Sequence, residues 1–363
     1  MINSDEKYME LALELAALGE GNVNPNPMVG AVVVKDGKII GRGYHKKYGG
    51  PHAEVFALED SGAEAVGATI YVTLEPCSHY GQTPPCAEKI IKMGIKRCVI
   101  ATLDPNPLVA GKGVKLLKKA GIDVKINILK EKALKQNVVF FKYIERKIPY
   151  LFLKCAITLD GKIATESGNS KWISNEISRG RVQELRHKYM GIMVGIKTLL
   201  GDNPRLNARI EGGNNPYRIV VDPSLKTPEN YNFIQNNKDN KSIIITSKRN
   251  IDSEKHLKFE NNYNVKFVFL EGDRFTMREI IKEIGELGID SILLEGGNSM
   301  ISMAFKENIL DGGQIFIAPK ITGDNNAIPF ISGFKIGTMK ESIELKDVKF
   351  KVYGDNIAIE FSL

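Results

Sequence analysis

Two stretches decide the reading of this chain: Pro51-His52-Ala53-Glu54, and then Glu75-Pro76-Cys77-Ser78-His79-Tyr80-Gly81-Gln82-Thr83-Pro84-Pro85-Cys86. One imidazole and two thiolates fill three of the four tetrahedral positions of a zinc ion and leave the fourth for water. Bound zinc would lower that water's pKa towards ~7. Glu54, two residues from His52, can reach the water without binding the metal; it can take the proton and later pass it to a leaving amine. Cys77 and Cys86 open or precede expected helices, where amide dipoles favour the thiolate. A lone His-x-Glu or a lone cysteine pair is a weak signal. Their conjunction on a strand–loop–helix frame assigns His52, Cys77 and Cys86 as metal ligands and Glu54 as the catalytic acid/base, against the alternative of a purely structural zinc. His79 shares the loop and is an alternative fourth ligand. A fourth protein ligand would close the site to water, so His79 is read as lining the pocket. Cys98 and Cys155 fall mid-strand and are read as core thiols.

The chain has 363 residues, which suits two domains. Hydrophobic residues make up 43%, enough for ordinary cores, and lysine plus arginine exceed aspartate plus glutamate by 7. That balance favours anionic partners. The basic residues are scattered, with only short pairs such as Lys46-Lys47 and Lys118-Lys119. Small phosphates are therefore expected as partners and nucleic acid is not. Four cysteines are too few for a disulfide scaffold. No basic segment followed by an apolar run opens the sequence, and no stretch approaches ~18 apolar residues, so neither a signal peptide nor a membrane span is expected. A cytoplasmic location follows as the expectation, and a homo-oligomer is expected.

Working outward, residues 5–18 read as a helix, 29–34 and 38–44 as strands about an Asp36-Gly37 turn, and a helix starts near Pro51. Strand 68–74, helix 86–93, strand 97–103, helix 111–120 and strand 123–128 follow, with a charged helix over 130–146 closing the first domain. The boundary is placed at 147/148, giving domains 1–147 and 148–363. The second domain shows strands near 150–157, 190–195, 217–222, 242–246, 265–270, 290–295, 313–318 and 347–362, and helices near 174–188, 276–287 and 298–306. The Asn-rich stretch 230–241 reads as a surface loop. Short strands separated by helices give α/β architecture throughout. Leu293-Leu294-Glu295-Gly296-Gly297-Asn298 is an apolar strand entering a glycine pair and a helix, a place where backbone can approach phosphate. It is not a G-x-G-x-x-G fingerprint, which disfavours an ordinary Rossmann domain.

The general zinc-deaminase pattern is Pro-Cys-x-x-Cys; here Cys77 and Cys86 are separated by eight residues. That loop resembles the pyrimidine deaminases of riboflavin biosynthesis, which carry Pro-Cys-Ser-His-x-Gly-x-Thr-Pro-Pro-Cys. Asn24-Pro25-Asn26-Pro27-Met28-Val29-Gly30, Asp104-Pro105-Asn106-Pro107 and Gly111-Lys112-Gly113 are similar to that family too. From Lys154-Cys155-Ala156 through Thr158-Leu159-Asp160-Gly161-Lys162-Ile163-Ala164 to Gly201-Asp202-Asn203-Pro204-Arg205-Leu206-Asn207-Ala208-Arg209, the second half resembles the reductase partner of the bifunctional deaminase/reductases. The resemblance is weak over 225–285.

The resemblance implies a cytidine-deaminase-like α/β/α sandwich followed by a dihydrofolate-reductase-like α/β domain. It implies Zn2+ in the first and NADPH in the second, with a phosphorylated pyrimidine as substrate. Asn24 would bond the pyrimidine edge. Ala156, Trp172, Thr198, Asp202, Ser224 and the Gly297-Asn298-Ser299-Met300-Ile301-Ser302-Met303 turn would contact NADPH. Ser170, Arg186, Leu206, Arg209 and Glu295 would contact substrate, with Lys154 near the ribose. Ser247-Lys248-Arg249, by its charge, is a candidate for the cofactor's 2′-phosphate. Taken alone, Trp172 reads equally as a core aromatic and Arg186 as a solvated helix residue. No proton donor for the reduction is evident. Two rivals remain open at this point: a nucleoside or tRNA deaminase with an accessory C-terminal domain, and a zinc-stabilised nucleic-acid-binding module whose affinity would fall steeply with salt.

Overall fold

The computed structural model describes residues 4–80, 84–106 and 110–363. Gly81, Gln82 and Thr83 of the cysteine loop, and Pro107 of the Asp104 segment, lie outside the described residues. The chain divides into two compact units, Met1–Lys147 and Ile148–Leu363.

The first unit runs α1 (Ser4–Ala17), β1 (Gly30–Lys35), β2 (Lys38–Tyr44), α2 (Ala53–Ser61), β3 (Thr69–Val72), α3 (Cys86–Lys92), β4 (Arg97–Ile100), α4 (Lys112–Lys119), β5 (Asp123–Ile126), α5 (Lys130–Gln136) and α6 (Val138–Arg146). Its sheet has the order β2-β1-β3-β4-β5. β1 pairs antiparallel with β2 and β3, whereas β3, β4 and β5 are parallel. Alternation along the strands builds two cores. Ala31, Val33, Ile70, Val72, Cys98 and Ile100 face Ala57, Leu58, Ala87, Ile90 and Leu117 of α2, α3 and α4. Val32, Val34, Tyr71, Val99 and Ala101 face Met9, Ala12 and Leu13 of α1 and Ala133 of α5. Helices on both faces make an α/β/α sandwich.

Two glycines bring helices onto the site side. A Cβ on Gly43 would stand 2.3 Å from the Ala53 carbonyl oxygen, and one on Gly113 would stand 2.1 Å from that of Pro76. Glycine thus lets the start of α2 lie against β2 and lets α4 lie against the loop that carries Cys77.

The expected single helix over 130–146 is instead two, broken at Asn137, which has φ −107° and ψ 23°. Asn137 is 2% exposed and both ends of its amide are hydrogen-bonded to the Met28 backbone, which the residue could not reach as an ordinary helix position.

The second unit contains β6 (Tyr150–Thr158), β7 (Lys162–Ala164), α7 (Glu176–Lys188), β8 (Gly191–Gly195), α8 (Ile196–Asp202), β9 (Tyr217–Val221), α9 (Asn232–Gln235), β10 (Ser242–Ser247), α10 (Glu254–Tyr263), β11 (Lys266–Leu270), α11 (Met277–Glu286), β12 (Ser291–Leu294), α12 (Asn298–Lys306), β13 (Gly312–Ala318), β14 (Ile328–Pro329), β15 (Lys346–Tyr353) and β16 (Asn356–Ser362). Nine strands form one sheet in the order β11-β10-β9-β8-β12-β6-β13-β16-β15. The pairs from β11 to β13 are parallel, and β13-β16-β15 is antiparallel. One face packs under α11 and α12 through Ile280, Ile284, Ile301 and Phe305. The other packs Ile192, Val194, Val220 and Ile244 against Phe233 and Phe259.

Three elements here depart from expectation. The Asn-rich segment holds α9, and Asn237 within it is buried, bonding Arg218, Ser242 and the carbonyls of Tyr263 and Asn264. α8 and α10 are helices where the sequence pattern gives none. The helix expected over 298–306 is α12, so Asn298–Met303 of the stretch assigned to the cofactor lie in its first part.

Candidate functional site

The first site assembles where α2 and α3 begin. His52 is the N-cap residue of α2, and Glu54 lies in its first turn. Cys77 follows β3, and Cys86 opens α3. The Cys86 N–H donates to Cys77 Sγ at 3.3 Å, and the Ala87 N–H to the Cys77 carbonyl at 3.1 Å, so the start of α3 clasps the first cysteine. His52 Nδ1 lies 3.6 Å from Cys77 Sγ and 3.3 Å from Cys86 Sγ. The three ligand atoms lie within 4.8 Å of one another. Tetrahedral zinc bonds place neighbouring donors roughly 3.3–3.8 Å apart, so this donor set fits the ion. His79 is exposed and stands outside the cluster.

The Cys86 hydrogen bond, with help from His52, draws Cys77 down to about 4, which keeps it a thiolate. Cys86 shifts the other way, because it faces the Cys77 charge and is buried. The Cys77 contact raises His52 to about 9. Glu54 is 3% exposed, and burial pushes its carboxyl up to about 7. Its Oε2 has no hydrogen-bond partner among the described residues. A buried carboxylate oxygen left without a partner is costly, and a bound group in front of it would supply one.

Sequence reasoning assigned no role to two neighbours of this site. Glu75 accepts from the backbone N–H of Gly111 at 2.9 Å and Val114 at 3.1 Å, pinning the start of α4 beside the cysteine loop. His45, 3% exposed, packs edge-on to His52 at 5.6 Å between ring centres. Each has a polar side chain at a buried position beside the motif, which is visible only once the fold is known. Asp104 is also drawn in; burial raises it to about 6.

The second group of residues gathers at the carboxyl ends of the parallel strands. Arg186, in the last turn of α7, meets Glu295, just after β12, through two bonds of 2.8 and 2.7 Å. Its third nitrogen donates to the Asn207 carbonyl at 3.3 Å. Arg186 is therefore not a solvated helix residue. Burial alone would raise Glu295; the Arg186 charge, with Lys154 and Arg209, holds it below the ordinary carboxylate range. Arg209 itself is exposed and lies near Arg186 and Arg205.

Thr198 of α8 lies beside Gly297, and Met300 beside Gly195 and Gly296. Lys171 Nζ stands 3.7 Å from Asp202, which brings the Ser170–Trp172 segment to the end of α8. Trp172 is 63% exposed with the Arg179 guanidinium 4.6 Å from its ring centre, so it is not a core aromatic. Ser224 accepts from Arg249 Nη2 at 3.1 Å. Arg249 also pairs with Asp273, and Lys248 with Glu271, both in the open. Ala156 lies half-buried on β6.

Two expected contacts are placed differently. Leu206 is 2% exposed and packs in the core beneath β8 and β9. Ile301 is fully buried, with Met300 and Ser302 nearly so, and Asn298 bonds the Pro329 carbonyl and Ser332. What this stretch can offer a ligand is therefore the backbone of its first turn.

A zinc-ligand triad with a buried glutamate, joined to a reductase-type parallel sheet, defines a two-domain deaminase–reductase. Residues 2–102 match the model of the cytidine and deoxycytidylate deaminase zinc-binding region, and residues 149–359 match that of the RibD C-terminal domain. The chain is 44% identical to riboflavin biosynthesis protein RibD of Aquifex aeolicus, covering 98% of each. It is 42% identical to the protein of that name from Actinobacillus pleuropneumoniae, covering 99% of this chain and 95% of the other. Among solved structures, Acinetobacter baumannii RibD superposes with a TM-score of 0.90 at 35% identity, over 99% of this chain and 98% of that one. The diaminohydroxyphosphoribosylaminopyrimidine deaminase/5-amino-6-(5-phosphoribosylamino)uracil reductase of Thermotoga maritima does so with 0.87 at 37% identity, with the same coverage. The chain belongs to the RibD family of bifunctional riboflavin-biosynthesis deaminase/reductases. A nucleoside or tRNA deaminase with an accessory domain is not favoured, because the matches span both units. No helix among the described residues is long and apolar enough to cross a membrane.

Proposed function

We propose that the first unit removes the 2-amino group of 2,5-diamino-6-ribosylamino-4(3H)-pyrimidinone 5′-phosphate as ammonia. The second unit then reduces the ribosyl side chain of the product with NADPH, giving 5-amino-6-ribitylamino-uracil 5′-phosphate. The observation that carries this is the buried, partnerless Oε2 of Glu54 beside His52, Cys77 and Cys86. His52, Cys77 and Cys86 would hold zinc, which when bound acts as a Lewis acid that acidifies water. Glu54, drawn up to about 7, is matched to both halves of a proton shuttle near neutrality. It takes a proton from water and delivers it to the amino nitrogen that leaves. Asn24 holds the pyrimidine edge.

In the second unit the cofactor supplies the hydride and the protein positions it. The first turn of α12, with Thr198, Asp202, Ala156 and Trp172, frames NADPH, and Ser224 with Arg249 takes its 2′-phosphate. The Arg186–Glu295 pair and Lys154 face the sugar, with Ser170 nearby. Arg209, which is exposed, takes the substrate phosphate, while three of the five N–H groups of Arg186 are engaged within the protein.

Purified protein incubated with the diaminopyrimidine phosphate should release ammonia without NADPH and oxidise NADPH when it is added. No ammonia would sink the deaminase reading. Accumulation of the deaminated product in the presence of NADPH would sink the reductase reading.

A further inference from the structure

The break between α5 and α6 sets Asn137 against the loop that precedes β1. Asn137 Oδ1 accepts from the Met28 N–H at 2.8 Å, and Asn137 Nδ2 donates to the Met28 carbonyl at 2.9 Å. A neighbouring β-strand would give Met28 this same pair of bonds. The side chain makes no capping bond to either helix, so helix termination does not explain it.

Met28 ends the Asn24-Pro25-Asn26-Pro27-Met28 loop, in which two prolines lack an N–H. The loop's own backbone tie is the Asn26 N–H to the Val23 carbonyl at 2.8 Å. His45 anchors it as well. His45 Nδ1 lies 3.0 Å from the Pro51 carbonyl, an acceptor only, so Nδ1 carries the proton and donates. Nε2 then accepts from Asn26 Nδ2 at 3.1 Å. The connections run from Asn137 to Met28, from Asn26 to His45, and from His45 to Pro51, whose neighbour is His52.

We propose that Asn137 is a positioning residue of the deaminase site: it fixes the Asn24–Met28 loop, through Met28, where Asn24 meets the pyrimidine edge. The inference rests on the reading of Asn24 and the zinc site given above. The test uses full-length, zinc-loaded Asn137→Ala and Asn137→Ser, whose short hydroxyl cannot span both Met28 groups and leaves no unpaired charge at this buried position. For Asn137→Ala, KM for the diaminopyrimidine phosphate should rise about tenfold, the size of one lost substrate hydrogen bond, with kcat changed less than about threefold. Asn137→Ser should show a similar rise, and it carries the test if the alanine variant fails to fold. Zinc content and the reductase rate of the same preparation should stay at wild-type values. Deuterium exchange over residues 24–30 should quicken in both variants. A lower melting temperature with KM unchanged below the transition would overturn the proposal, since that is the signature of a purely structural residue. So would unchanged exchange over 24–30, a readout that needs no substrate. If the wild type releases no ammonia from this substrate, the underlying reading fails instead, and the exchange result still decides the clamp.

Discussion

Glu54 and Glu295 are both buried glutamates, one in each unit, and they titrate in opposite directions. Glu54 lies in the first turn of α2, with one oxygen lacking a partner and its carboxyl pushed up to about 7 by burial. Glu295 has a bidentate guanidinium on it, and Arg186 holds it below its usual range although burial pushes the other way. Burial sets the cost of charge; a partner decides whether the cost is met. Glu54 keeps one oxygen without a partner, whereas both oxygens of Glu295 are paired.

The largest effect should come from Glu54→Gln. The amide keeps the shape and removes the proton shuttle, so ammonia release should fall about 10²–10⁴-fold. Zinc content, measured by metal analysis, should stay, as should reduction of supplied deaminated product. Near-wild-type deamination would break the contrast at its first term.

Arg186→Met would convert Glu295 into a second unpaired carboxyl. Leaving that charge buried should destabilise the second unit by about 3–5 kcal/mol, read by urea unfolding. The sign with pH follows: a carboxyl whose folded pKa rises loses stability as pH climbs above its unfolded value, so the deficit should shrink towards pH ~4. Adding Glu295→Leu should recover most of the loss. A variant as stable as the wild type would mean that Arg186 is not what holds Glu295 charged.

Asp5 sharpens the point within the first unit. It is 4% exposed and accepts from Arg97, Lys125 and Tyr71, and the Arg97 bonds hold it well below the usual carboxylate range. Its two cationic partners are part-exposed, so Asp5→Asn should cost about 2 kcal/mol, under the value for a fully buried pair. With a depressed folded pKa, the advantage is complete above pH ~4 and is lost as pH falls through the folded value. Wild type and variant should therefore converge in acid. A constant gap down to pH ~2 would show that the charge is not the source.

The same contrast separates what could be read from the chain from what could not. The zinc motif is legible because it falls into two short local patterns, His52-Ala53-Glu54 and the Cys77–Cys86 loop, on elements with strong strand and helix patterns. Arg186 and Glu295 are far apart in sequence, and nothing local says that they meet; taken alone, Arg186 reads as a solvated helix residue. Asn137 interrupts a pattern that is otherwise good for a single helix, and its reason lies at Met28. α10 buries only His256 and Phe259, too few for an apolar stripe. α9 has four residues and α8 seven, and β7 pairs through three residues with a two-residue strand far along the chain. Such elements exist because the surrounding fold holds them, and their sequences carry little signal of their own.

The smallest effect should come from Arg249, the exposed counterpart of Arg186. Its side chain is half exposed, as is that of its partner Asp273, so the pair is worth little by itself. A phosphate dianion could replace Asp273 at little cost, which suits a residue that must take and release a ligand. Ser224 lies at the end of β9 and Arg249 at the end of the adjacent parallel β10, and the two side chains already touch. Arg249→Gln should weaken NADP+ binding about five- to tenfold by titration calorimetry, the range for one charge-assisted bond at an open site. NAD+ binding should be unchanged, and the difference should shrink as salt rises. Equal weakening of both nucleotides would mean that Arg249 supports the strand end rather than reading the 2′-phosphate. Arg186, buried and paired with Glu295, should show no such salt dependence, because solvent ions screen a pair only where they can reach it.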